Sequence, residues 1–193
     1  MKKEKLKVFA ISGSTKQYSS NESILKYISI NFQDHLEVDI YEGIERLPHF
    51  NPDHDNENVD ETVKDFRRRI FQADAVIICT PEYVFSLPGS LKNAIEWNVS
   101  TTNFSNKPVA FIVAAASGEK AFEALDLIMT TIESRIAKGA KLLIKGVKGK
   151  VSANGIIHDS RTEDSIRKLV ISLIQSVEEE NPLPNKYLVR QRN

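Results

Sequence analysis

One cysteine, Cys79, is all that 193 residues contain. An internal disulfide is therefore excluded, and a lone thiol fits a reducing compartment. Basic and acidic residues balance at 26 each. That leaves neither a basic excess for nucleic acid nor a polybasic stretch for a lipid surface. Long apolar runs are missing too, so no segment reads as a membrane span. The basic start MKKEKLK leads into only the short apolar run Val8 to Ile11, too brief for the core of a signal peptide. These absences imply a cytoplasmic protein without nucleic-acid or membrane contacts. Two phosphate motifs are also absent after the first apolar run. There is no Gly-x-Gly-x-x-Gly for a dinucleotide and no Gly-Lys-Ser/Thr for a triphosphate with magnesium.

In their place the run ends in a hydroxyl-rich turn. Val8-Phe9-Ala10-Ile11 has the pattern of a strand buried on both faces. It breaks into Ser12-Gly13-Ser14-Thr15, and Ser19 and Glu22 then stand at capping-box spacing before Ile24, Leu25, Ile28 and Phe32. A strand, a tight turn and a helix N-terminus together make an anion site. With Lys16 as the only cation, Ser12, Ser14, Thr15, Ser19, Ser20 and Asn21 suit a small dianionic monophosphate held by many short hydrogen bonds.

The rest of the chain alternates between two periods. Leu36, Val38 and Ile40 alternate with polar residues, which predicts an edge strand. Pro48 and Pro52 keep residues 47–53 out of regular structure. Helical spacing links Val59, Val63, Phe66 and Ile70, and residues 73–79 read as a buried strand. Pro88 is placed in the first turn of a helix that runs through Trp97. Val109 to Ala115 reads as a strand, and Phe122, Leu125, Met129, Ile132 and Ile136 as one helical stripe. A short strand at 141–144, a hairpin turn at Asn154-Gly155 and a helix opened by the pair Ser160 and Glu163 complete the series. The βαβαβαβαβα order predicts an α/β fold, a doubly wound five-stranded parallel sheet of order 2-1-3-4-5 with helices on both faces. One domain is expected over residues 1–178, with a polar, proline-interrupted tail at 179–193. The loops at 12–21, 80–86 and 116–119 then share the carboxyl edge of the sheet, where such folds bind ligands.

Two of these loops carry a resemblance. Gly13-Ser14-Thr15-Lys16-Gln17-Tyr18-Ser19-Ser20-Asn21 is one, and the run from Pro81-Glu82-Tyr83-Val84-Phe85-Ser86 through Pro88-Gly89-Ser90-Leu91-Lys92-Asn93-Ala94-Ile95-Glu96-Trp97 is the other. With Leu47-Pro48 and Phe50-Asn51-Pro52-Asp53 they resemble the NADPH-dependent FMN reductase family, whose fold is flavodoxin-like. The resemblance implies bound FMN, NADPH or NADH as hydride donor, a small acceptor such as a flavin, quinone or azo compound, and assembly as a homodimer or homotetramer. By it, Ser12, Ser14, Lys16, Ser19, Ser20 and Asn21 hold the FMN phosphate. Pro81, Glu82, Tyr83, Val84, Phe85 and Ser86 lie along the ring, and Ser117 and Gly118 approach its pyrimidine side. The chain departs from the family where Lys16 replaces an arginine, Val84 an asparagine, and residues 117–120 carry fewer glycines.

Flavin supplies the redox chemistry, so no side chain is assigned as an acid, base or nucleophile. Backbone N–H groups after Ser117 are expected to supply positive potential at the ring. His49 and His54 beside Asp53 and Asp55 match no familiar metal spacing. Cys79 reads as a small core residue. Neither Ser86 nor Ser117 has a histidine near it in sequence. Two other readings of the same fold are a flavodoxin-type electron carrier without nicotinamide turnover and a flavin-free binding module.

Overall fold

Three strands that are buried nearly throughout must be covered on both faces, and among the described residues five helices do this. The computed structural model describes residues 4–152 and 155–179. Strands β1 (Leu6–Ser12), β2 (Leu36–Tyr41), β3 (Ala75–Thr80), β4 (Val109–Ala115) and β5 (Lys141–Lys145) form one parallel sheet of order β2-β1-β3-β4-β5. Helices α1 (Ser20–Asn31), α2 (Glu61–Gln72), α3 (Gly89–Glu96), α4 (Glu119–Thr131) and α5 (Ser160–Glu178) connect or follow the strands. This is the expected flavodoxin-like arrangement, with β2 at one edge and β5 at the other.

The period of two divides the core. Phe9, Ile11, Val76, Ile78, Phe111 and Val113 face α2, α3 and α4, through Val63, Phe66, Leu91, Leu125 and Met129. Val8, Ala10, Ile77, Cys79, Ile112 and Ala114 face α1 and α5, through Ile24, Leu25, Ile28, Ile166 and Leu169. Burying both faces of β1, β3 and β4 is the main driving force for the fold.

Several boundaries differ from those the sequence predicts. Pro88 precedes α3 as its cap instead of lying in its first turn. The Ile132 to Ile136 part of the α4 stripe lies beyond the helix, which ends at Thr131 before Glu133 turns left-handed (φ 62°). The cap of α5 is Asp159, one residue before the expected Ser160; its carboxylate accepts from Thr162 N at 2.8 Å. A carboxylate there is a charged acceptor at the positive end of the helix. Glu163 is consequently free to accept from Tyr27 Oη at 2.7 Å, tying α5 to α1. The α1 box is half formed: Ser19 Oγ accepts from Glu22 N at 3.1 Å, while Glu22 pairs with Lys26. A single bridge, Val151 to Ile157, stands where a hairpin is predicted; Asn154 of its turn and the 180–193 part of the tail lie outside the described residues. Among the described residues no helix is long and apolar enough to cross a membrane.

The proline loop after β2 is bolted to α3. Asn93 Oδ1 accepts from Phe50 N at 2.7 Å, Asn93 Nδ2 donates to Pro48 O at 3.0 Å, and Trp97 Nε1 donates to the same carbonyl at 2.7 Å. Trp97 is 1% exposed and meets Phe50 edge-on at 5.1 Å. Asp55 of the same loop is held by Arg67 at 2.7 Å. Asn93→Ala leaves the Phe50 N–H without its acceptor, at a cost of about 1–3 kcal/mol. Urea denaturation should show that loss; an unchanged midpoint would mean that water replaces the bond at no cost.

Candidate functional site

At the carboxyl edge the chain turns out of β1 because Gly13 lets it. Gly13 N donates to Cys79 O at 2.8 Å, drawing the turn against β3. A Cβ on Gly13 would lie 2.3 Å from Thr80 Oγ1 and 2.7 Å from Thr80 Cβ, so only glycine fits this approach. Ser12 Oγ accepts from Ser14 N and Ser14 Oγ from Lys16 N, both at 3.3 Å, shaping the loop that leads to Ser19 and α1.

A cleft of about 820 Å³ opens beside this loop, within the roughly 300–1,000 Å³ of small-molecule sites. Ser14, Lys16, Tyr18, Ser19, Ser20 and Asn21 form one wall. Pro81, Glu82, Tyr83 and the backbone-rich segment Ala114 to Ala116 form the floor, and Gly146 to Gly149 with Val151 and Ser152 close the far side. Asn21 is 4% exposed, and its Oδ1 accepts from the Cys79 thiol at 3.4 Å. Its Nδ2 has no partner among the described residues and keeps contact with solvent. An unpaired donor on a buried residue in the first turn of a twelve-residue helix is suited to an anion brought from outside.

The residues singled out in the sequence divide here. Ser14, Lys16, Ser19, Ser20, Asn21, Pro81, Glu82 and Tyr83 line the cleft. Ser12, Val84, Phe85, Ser86, Ser117 and Gly118 do not. Ser12 supports the loop from behind. Tyr83 and Ser86 exchange both backbone hydrogen bonds at 3.0 Å, which makes Val84 and Phe85 the centre of a two-residue turn, with φ 50° and 55°. That is a type I′ geometry, natural for Asn-Gly and strained for a β-branched residue. It holds Val84 96% and Phe85 77% exposed, outside the cleft.

Ser117 and Gly118 are taken up by another partner. Glu82 accepts from Ser117 Oγ (3.0 Å) and Gly118 N (3.1 Å) through one oxygen, and from Lys120 N (2.9 Å) and Ala121 N (3.0 Å) through the other. The N-terminus of α4 is thus filled by the chain's own carboxylate. The groups expected to serve a bound ring are here bonded to Glu82. Those bonds, that from Ala121 N first, hold the Glu82 carboxyl below its ordinary value. They also fasten the 81–86 loop to α4, whose N-cap Gly118 (φ 93°) has no capping side chain of its own.

Sequence reasoning missed the 146–152 segment, which brings Lys148 to the cleft. The signal was available: Gly146 and Gly149 follow β5 at the same edge of the sheet, and the edge rule applies to every strand. Cys79 is buried in the core, where desolvation pushes its thiol pKa up.

Comparison with known proteins identifies the family and supports the fold. The sequence model of the NADPH-dependent FMN reductase family matches residues 6–145. An NADPH azoreductase of Bacillus sp. (strain OY1-2) is 32% identical over 122 residues, 63% of this chain and 65% of that protein. The quinone reductase of Escherichia coli K12 is 37% identical over 95 residues, 49% of this chain and 50% of that protein. The chain therefore spans between half and two thirds of these relatives. An NAD(P)H-dependent FMN reductase of Pseudomonas aeruginosa is 27% identical with 93% of its length covered. The solved structure of FerB, a flavoenzyme NAD(P)H:(acceptor) oxidoreductase from Paracoccus denitrificans, superposes with a TM-score of 0.79 at 26% identity, covering 90% of this chain and 97% of FerB.

The Glu82 clasp gives a pH test. Because the folded-state pKa is depressed, the stabilisation is complete above the ordinary glutamate value of 4.5 and fades as pH falls below it. Glu82→Gln removes the charge and replaces one accepting oxygen with an amide donor that meets at least one backbone N–H. Its urea midpoint should lie below that of the wild type at pH 7, and the gap should close below pH 4.5. A gap that does not change with pH would show that the carboxylate charge does not hold the clasp.

Proposed function

This chain belongs to the NADPH-dependent FMN reductase family, and from that premise we propose that it binds FMN in the cleft and acts as an NAD(P)H-dependent oxidoreductase on small acceptors. The acceptor class is a flavin, a quinone or an azo compound. The domain spans residues 1–178, and the single buried thiol suits the cytoplasm. The observation that carries the reading is the unpaired amide of buried Asn21 at the open N-terminus of α1.

The residues present fit FMN. Its phosphate has donors in the first turn of α1, in the Asn21 amide and in the Ser14 and Ser20 hydroxyls, with Lys16 supplying charge. Its ring has an apolar floor in Pro81, Tyr83 and Ala114 to Ala116. FMN bound there supplies hydride acceptance from the nicotinamide and electron delivery to the second substrate. The chain's own part is to hold, orient and tune. Lys16 and the α1 dipole fix one end by charge. The Glu82 clasp keeps the 81–86 loop in place at the other. Lys148, on the far side of the cleft, provides the cation that α4 cannot offer while Glu82 occupies its N-terminus. No acid or base is needed on the protein for the hydride transfer from nicotinamide to flavin.

The phosphate reading has a direct test. Lys16→Ala and Asn21→Ala should each weaken FMN binding by about 1–3 kcal/mol, up to about a hundredfold, and leave riboflavin binding unchanged. Flavin fluorescence titration measures both, and undiminished FMN affinity in both variants would move the phosphate elsewhere. For the activity, NADPH oxidation should require a quinone or another acceptor. Initial-rate plots with both substrates varied should be parallel if they use the cleft in turn.

The exposed turn supports self-association as a homodimer or homotetramer. Holding Val84 and Phe85 out in water costs both backbone strain and apolar exposure, which contact with a second copy would offset. Val84→Asn with Phe85→Gly keeps the type I′ turn and removes its apolar tip. Sedimentation should show weaker association in this variant; unaltered association would place the interface elsewhere.

A further inference from the structure

Cys79 is not among the groups assigned to the cleft, yet it touches both ends of the loop that forms the anion site. Its backbone carbonyl accepts from Gly13 N at 2.8 Å, where the loop begins. Its thiol lies 3.4 Å from Asn21 Oδ1, where the loop ends and α1 begins. Cys79 is fully buried, at 0% exposure, on the face of β3 that packs against α1 and α5.

A side-chain amide can present its oxygen or its nitrogen to a given neighbour, and the two choices differ only by a half turn. Towards the core, Asn21 meets the Cys79 thiol, which offers a hydrogen and is only a weak acceptor. Oδ1 therefore belongs on the core side, which leaves Nδ2 for the cleft that Asn21 lines. The opposite rotamer would set a carbonyl oxygen against any anion at α1.

We propose that Cys79 is a positioning residue for the anion site: its thiol fixes the Asn21 amide with the donor turned to the phosphate of FMN. This rests on the FMN reading of the cleft. Burial supports it, because a thiol kept from ionising remains a donor across the physiological range.

The test compares FMN with riboflavin, which lacks the phosphate. Cys79→Ala removes the donor and should weaken FMN binding by about two- to fivefold, as befits a weak hydrogen bond, while riboflavin affinity stays the same. Cys79→Ser keeps an O–H donor and should restore FMN affinity. On an Asn21→Ala background, Cys79→Ala should have no further effect on FMN. Equal weakening of both flavins would overturn the proposal, because it marks general loosening of the β3 edge. So would failure of serine to rescue, or a full effect without Asn21. If the wild type shows no preference for FMN, it is the cofactor reading that falls. The positioning role is then judged from the side-chain amide signals of Asn21 in the flavin-free protein by NMR. A shift in Cys79→Ala that Cys79→Ser reverses supports it, and unmoved signals overturn it.

Discussion

The close approach of the β1 turn to the end of β3 sets the geometry of the whole carboxyl edge. Gly13 donates to the Cys79 carbonyl and lies where any side chain would collide with Thr80. Because the register pairs Ser12 with Cys79, the chain leaves β1 as the neighbouring strand reaches its own final residues. From this point the connection after β1 runs to α1 on one face and the connection after β3 runs to α3 on the other. The cleft lies in the gap between them. A parallel sheet opens such a gap where successive connections go to opposite faces.

Two helices present their N-termini near this gap, and they are treated in opposite ways. That of α1 has a serine cap but keeps an amide donor without a partner on buried Asn21. That of α4 has no cap of its own and is filled by Glu82 from a different loop. Equal macrodipoles thus serve different ends: in the proposed reading one is left for the phosphate of FMN, and the other joins two loops of the chain.

Much of the long motif between Pro81 and Trp97 is structural. Asn93 and Trp97 hold the proline loop after β2 through the carbonyl of Pro48 and the N–H of Phe50. Pro88 caps α3, and Leu91 and Ala94 fill the core beneath it. Only Pro81, Glu82 and Tyr83 of the stretch reach the cleft. A motif can be specific for a family because it fixes a loop against a helix, and its residues need not all touch a ligand.

The sheet, its order and the edge at which the cleft opens were legible in the amino-acid sequence. Apolar runs of fixed length, one alternating strand and a hydroxyl-rich turn before a capped helix are local patterns, and local patterns survive in one dimension. The family likeness was legible too, in the 13–21 and 81–97 runs. What only the tertiary structure decided concerns groups distant in the chain. Glu82 meets residues 117–121, Cys79 meets Asn21, and the segment after β5 closes the cleft. Val84 aligns with a ring-side asparagine in sequence, yet the turn it belongs to carries it into solvent. Which way a side chain faces depends on the sign of φ and on the strand pairing around it. Neither is written in residue spacing, because hydrogen bonds across the sheet edge form only once its crossovers have closed.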